Sequence, residues 1–292
     1  MKNILKAIGV VAFLATATVS AQQTPTQAFW RQNLDMINPA YAGSTGKTEI
    51  NVVGYKNEWT GIADAPSTQF MSAHGSFNEN VGIGLSIMQD QVFIQQETNI
   101  FANFSYKLPI GDAANLYLGL KAGGSFFNVD FSRLATSDPL NTQGNVRNFN
   151  PNFGLGAYYK ADKYFVSLAA PRLLKAERFE EVNGLAQDAS DALEASLGAG
   201  YFYKLNDKFT IIPAIMARYV DGAPIGIDAN LSARFMNKFE IGGNYRLNDS
   251  FSALFSFEVA EMLDLGFAYE FVTSDVSEYT KGGPEFMLKV KF

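Results

Sequence analysis

Ile225-Gly226-Ile227-Asp228-Ala229-Asn230-Leu231-Ser232-Ala233-Arg234-Phe235 alternates without a break. One parity holds Ile225, Ile227, Ala229, Leu231, Ala233 and Phe235, and the other holds Gly226, Asp228, Asn230, Ser232 and Arg234. Successive strand side chains point to opposite faces, so this stretch reads as a strand with one apolar and one polar surface. The next run repeats the pattern, with Phe239, Ile241, Gly243, Tyr245 and Leu247 set against Glu240, Gly242, Asn244 and Arg246. Phe251, Ala253, Phe255, Phe257 and Val259 continue it. Leu263, Leu265, Phe267, Tyr269 and Phe271 then face away from Asp264, Gly266, Ala268 and Glu270. A last run sets Phe286, Leu288, Val290 and Phe292 against Met287, Lys289 and Lys291. Strands of a soluble sandwich also alternate, but they usually have about five or six residues. Most of these are longer, near the span of a tilted transmembrane strand. The fold class that follows is all-β, a transmembrane antiparallel β-barrel.

Working back towards the N terminus, less regular strands are expected near 48–56, 66–76, 81–90, 96–108, 114–128, 151–160, 163–169, 194–204 and 208–220. The total is about 14 strands, an even number, as bacterial barrels have. Parity then sorts the connections. Those at 78–80, 109–113, 161–162, 206–207, 236–238 and 260–262 fall on one side and are all short. The other side receives every long one, including 129–150, 170–193 and 272–282. Short periplasmic turns and longer extracellular loops are the rule for such barrels.

Upstream of the first strand, Lys2 and Lys6 precede an apolar stretch over 8–19, which ends at Val19-Ser20-Ala21. That is the layout of a secretory signal peptide, residues 1–21, with cleavage expected after Ala21. About a dozen apolar residues are too few for a membrane-spanning helix. Three parts result: 1–21 as signal, 22–47 as an N-terminal segment without strand alternation, and 48–292 as barrel. For 22–47, the periplasmic mouth and the lumen remain alternative locations. Removing the signal takes two lysines from 23 basic residues and none from 29 acidic ones, so 21 minus 29 leaves a net charge of −8. An acidic chain offers no electrostatic footprint for nucleic acid. With no cysteine, disulfides and thiolate chemistry play no part.

Little here reads as catalysis. The single histidine, His74, shares its parity with Ser72 and Ser76, as a barrel lipase would require, but no G-x-S-x-G elbow accompanies it. A structural histidine lining the lumen is the plainer reading. No catalytic residue, cofactor or transition-metal site is expected, and calcium held by acidic outer loops remains open. The polar-face charges Asp228, Arg234, Glu240, Arg246, Glu258, Asp264, Glu270, Lys289 and Lys291 alternate in sign between neighbouring strands, which points to a cross-strand network in the lumen rather than a single-sign filter. Two outer segments are candidates for docking a partner: 129–150, with Asp130, Arg133, Arg147 and Phe149, and 174–194, with Glu177, Glu180 and Glu181. A short helix is expected over 186–195. The aromatic end at Phe292 resembles the signal that barrel-assembly machinery reads.

Ahead of the barrel stand Phe29-Trp30-Arg31-Gln32-Asn33 and then Ile37-Asn38-Pro39-Ala40-Tyr41-Ala42-Gly43-Ser44, punctuated as a turn by Pro39 and Gly43. This string, with Asn38, Pro39, Ala40, Tyr41 and Gly43 as its core, resembles the hallmark of the PorP/SprF family of type IX secretion and gliding proteins from Bacteroidetes. Trp59-Thr60-Gly61-Ile62, Ala65-Pro66-Ser67-Thr68, Val81 to Leu85, Asn150 to Gly156 and Tyr203-Lys204-Leu205 extend the resemblance over nearly the whole mature chain. It implies a non-enzymatic outer-membrane barrel that partners, helps to export and anchors a large secreted adhesin carrying a type IX sorting domain. A core component of the secretion machine, linked to a periplasmic peptidoglycan-binding protein, is the alternative the same family implies. A transport barrel for hydrophobic solutes, similar to fatty-acid transporters of like strand number, stands as the rival from outside it.

Overall fold

A computed structural model of the chain describes residues 25–62, 64–111, 113–130, 133, 146–174 and 193–292; within its strands the side chains of Val52, Val53 and Val146 are not described. The first strands are β1 (Glu49–Asn57), β2 (Ser67–Ser76), β3 (Val81–Val92), β4 (Gln95–Ile110) and β5 (Ala114–Val129). Next come β6 (Val146–Ala161), β7 (Tyr164–Arg172) and β8, which is Glu194–Tyr201 continued by Tyr203–Lys204. The circuit ends with β9 (Phe209–Val220), β10 (Gly226–Phe235), β11 (Phe239–Arg246), β12 (Ser250–Ala260), β13 (Leu263–Val272) and β14 (Gly282–Lys291). Each strand pairs antiparallel with its sequence neighbours, and β14 pairs with β1 from Glu49↔Lys291 to Lys56↔Glu285. The result is a closed barrel of 14 strands, which leaves no sheet edge unpaired. The β8–β9 ladder lapses at Tyr201 and Phe202, opposite Pro213 and Ile212, and Pro213 has no N–H to give.

Burial runs opposite to that of a water-soluble protein. Leu231 is 60% exposed and Ile241 64%, whereas Asp228 and Ser232 are each 1% exposed. A continuous apolar exterior is costly in water and is at home only in lipid. The alternation quoted at the outset therefore faces outward with its apolar parity. The outer apolar surface carries the membrane, and the lumen carries the polar groups.

One end of the barrel holds the tight connections, at 77–80, 111–113, 162–163, 205–208, 236–238 and 261–262. By the rule that periplasmic turns are short, this is the periplasmic end. Strands β4, β5 and β6 have 16 residues each, against eight to 12 in the others, and β6 overhangs β7 by residues 146–152 at the opposite end.

Several boundaries differ from those read in the sequence. β6 starts at Val146, five residues early, so Arg147 and Phe149 lie on a strand and not in a loop. Cross-strand pairing with β5 extends the ladder there, and the Phe149 ring packs on that of Phe126 with centroids 4.7 Å apart. β14 starts at Gly282, where Gly-Gly-Pro carries no apolar alternation. Glu194 and Ala195 are strand and not helix, because they pair with Val220 and Tyr219 of β9. The rest of the expected helix, over 186–192, lies outside the described residues, as do Glu177, Glu180 and Glu181.

A lumen closed by the chain's own N-terminal segment

Residues 25–47 run through the barrel. Near the long-connection end, the Lys56 ammonium donates to the Thr26 carbonyl at 3.0 Å, and the Glu285 carboxylate accepts from the Ala28 and Phe29 N–H groups at 2.7 and 3.2 Å. Towards the short-turn end, Arg31 is ion-paired to Glu240, and Lys289 donates to the Gln32 carbonyl at 2.6 Å. The chain then turns back to mid-height, where a single helical turn, α1 (Leu34–Ile37), brings the Met36 carbonyl within 2.8 Å of the Lys121 ammonium. It leaves at the short-turn end, where Lys160 donates to the Ser44 carbonyl at 2.8 Å. Many of these bonds engage the segment's backbone, so they fix its path more than its side chains. Trp30 is 1% exposed and packs with Leu34, Ala40, Tyr117, Tyr158, Phe165 and Met216, while its indole N–H donates to Asn244 at 3.0 Å.

Every residue of the Asn38–Gly43 string has a structural task. Asn38 caps the 3-10 turn Pro39–Tyr41, its Oδ1 accepting from the Ala40 N–H at 2.9 Å. The same side chain donates to the Ala157 carbonyl and to the Ser167 hydroxyl of the wall, at 3.0 and 2.8 Å. Pro39 opens the turn, where its missing N–H costs nothing. Tyr41 sets its ring edge against His74 and Tyr158, at 5.4 and 5.2 Å between centroids. The Ala42 carbonyl accepts from the Ser105 hydroxyl at 2.6 Å, and the Gly43 carbonyl from that of Ser76 at 3.0 Å. Gly43 adopts φ +71°, and a Cβ there would meet the Gly82 Cα at 2.8 Å.

The wall is shaped to match. A Cβ at Gly82 would overlap the Ala42 carbonyl, one at Gly119 the Ala40 backbone, and one at Gly156 the Asn38 amide oxygen. These three inward positions on β3, β5 and β6 form a smooth bed on which the segment's backbone lies against the sheet.

Charges in the lumen gather into pairs. Asp228 is bonded to Arg218 and Arg246, and Glu240 to Arg31 and Arg234. Glu258 and Asp264 both hold Lys291 at 2.8 Å. Glu270 meets Lys56 at 3.0 Å and Arg246 at 4.0 Å, and Lys289 meets Glu49 at 3.0 Å. The sequence reading had not singled out Arg31, Lys56, Arg218 or Glu285. Burial lowers the Arg31 guanidinium pKa, and Glu240 opposes the shift. Burial also pushes the Tyr41 phenol well above its usual value, reinforced by the Glu49 charge, so the ring stays neutral.

His74 is buried, with Nε2 3.7 Å from the Glu49 carboxylate and no hydrogen bond to either ring nitrogen. The Ser72 hydroxyl accepts from Asn51 and that of Ser76 donates to Gly43, so neither serine is poised by the imidazole. Of the docking candidates outside the lumen, Arg133 is paired with Asp64 at 2.6 Å and reaches the Phe93 carbonyl, which ties the 58–66 connection to the base of the 130–145 connection.

A 14-strand barrel with an apolar exterior, a charged lumen and an inserted N-terminal segment is an outer-membrane protein. The family model of the type IX secretion system membrane protein PorP/SprF matches residues 19–290, and the chain belongs to that family. No curated protein sequence matches. Among solved structures, the Ralstonia pickettii toluene transporter TbuX is similar at 11% identity, covering 88% of this chain and 92% of that one, with a TM-score of 0.53. The CymD monoaromatic hydrocarbon channel is similar at 14% identity, covering 92% of each chain, with a TM-score of 0.51. At such identities the likeness is one of fold.

Proposed function

We propose that this barrel is a non-enzymatic partner of a secreted surface protein, an adhesin-like molecule with a type IX sorting domain, which it helps to export and then anchors at the cell surface. The observation that carries this reading is the filled lumen. A barrel whose interior is occupied by its own residues 25–47 has its outer mouth and long connections left for work. Docking then falls to the end bearing Asp130, Arg133, Arg147 and Phe149, together with the connection that contains Glu177, Glu180 and Glu181. The maturation step in this account is removal of 1–21 after Ala21, and N-terminal sequencing of the membrane-extracted protein tests it.

Deleting the gene should release or abolish one large surface protein while other type IX cargo is still exported. Mild-detergent extraction should recover that protein together with the barrel. Loss of all type IX export would instead favour a core machine component, held to a periplasmic peptidoglycan-binding protein. Passage of hydrophobic solutes is the second reading, favoured by the barrels it resembles, TbuX being titled a toluene transporter and CymD a hydrocarbon channel. The segment bonded across the lumen weighs against it.

A further inference from the structure

Below the plug, at the short-turn end, lies a cavity of about 320 Å³. Its floor is made by the plug and the wall together, with Leu34, Tyr41, Tyr158, Phe165 and Phe202 giving an apolar surface. Its sides carry six cations, Arg31, Lys160, Arg234, Lys238, Lys289 and Lys291, against four anions, Glu49, Glu240, Glu258 and Asp264. Six minus four leaves an excess of two positive charges. Arg31, Arg234, Lys289 and Lys291 are paired with those four carboxylates. The two cations without a carboxylate at ion-pair distance, among the described residues, are Lys160 and Lys238.

Two buried polar atoms on the plug residues lining this cavity have no hydrogen-bond partner: Arg31 Nε, a donor, and Gln32 Oε1, an acceptor. The Arg31 side chain is only 6% exposed. The orientation of the Gln32 amide is fixed by its Nε2, which donates to Glu240 at 3.1 Å. A buried polar group without a partner is costly, so such atoms mark places where a partner belongs. An open donor and an open acceptor on consecutive lining residues call for an occupant that both accepts and donates, as the carbonyl and N–H of a peptide do. Phosphate or a simple carboxylate offers acceptors and would leave the glutamine oxygen unmet.

We propose that this vestibule binds a peptide segment that combines acidic residues with an aromatic or other apolar side chain. The peptide backbone would be read by Arg31 and Gln32, its carboxylates by Lys160 and Lys238, and its apolar side chain by the Tyr41–Tyr158–Phe165 floor. A volume of this size lies at the lower end of small-ligand sites and suits two or three residues. The occupant reaches the cavity from the periplasmic side, so the proposal is independent of what docks on the outer mouth.

The test uses the full mature chain in phosphatidylcholine nanodiscs, titrated calorimetrically with a set of capped tetrapeptides holding two Asp or Glu and one Phe or Tyr. Saturable one-site binding by members of this set is expected, with tetrapeptides bearing Lys in place of the acids at least ten-fold weaker. Lys238→Gln, which removes a side chain with no hydrogen bond to the plug among the described residues, should weaken binding by about five-fold or more. Lys160→Gln should do likewise, and Lys281→Gln at the opposite end should leave it unchanged. Absence of binding by every acidic peptide would overturn the proposal and leave a cavity filled by water. Binding unaltered by Lys238→Gln, or matched by inorganic phosphate or glycerol phosphate, would overturn it as well.

Discussion

At the scale of single residues, the plug rests on a few side chains whose loss strands buried backbone groups. Glu285→Ala removes the acceptor of two N–H groups, those of Ala28 and Phe29. The expected cost is about 1–3 kcal/mol for each stranded donor. Thermal unfolding in detergent should show the loss, and Glu285→Gln should recover part of it because its amide oxygen still accepts. Gly119→Val acts differently, by placing side-chain atoms where the Ala40 backbone lies. It should leave the barrel folded while exposing Trp30 and Leu34, seen as a red-shifted Trp emission and faster proteolysis within 25–47. An unchanged emission and protease pattern would show that the bed of glycines is not needed. None of these residues announced itself in the sequence. Glu285 and Lys56 sit on inward strand positions among other charges, and their role depends on a segment more than 200 residues distant for Glu285. The hint that was available was small residues, Gly82, Gly119 and Gly156, at inward positions of three strands.

At the scale of elements, alternation was legible wherever both faces of a strand were chemically distinct. β10 to β13 declared themselves because lipid and lumen demand opposite residues at alternate positions. Where pairing alone extends a strand, as at Val146 to Asn150 of β6, no local signal exists and the start was misplaced. The plug was the least legible part, since a segment held by wall-to-backbone bonds needs no periodicity of its own. Its motif residues were visible as a string, but its place in the lumen depended on partners from β1 to β14. A substitution that tests the strand assignment is Leu231→Arg, which sets a charge on the lipid face of β10. The expected penalty is about 2–4 kcal/mol at mid-membrane depth, measured by denaturant titration in lipid vesicles. Ser232→Ala, one residue on but facing the lumen, should cost well under half of that.

At the scale of the whole molecule, closure of the sheet and closure of the lumen are linked. The seam where β14 meets β1 carries Lys289, Glu49, Lys56 and Glu285, and three of these four side chains also hold the plug. The barrel wall and its contents are thus fastened by one set of charges, and a change at the seam should disturb both. The central claim is that the chain forms a lipid-embedded barrel sealed by its own residues 25–47. Single-channel recording in planar bilayers tests it most directly, comparing the intact mature protein with a variant lacking 25–46. The account predicts no steady conductance from the intact protein and long-lived, ohmic openings from the shortened one. Steady openings from the intact protein, or none from the shortened one once its barrel is shown to be folded, would contradict it.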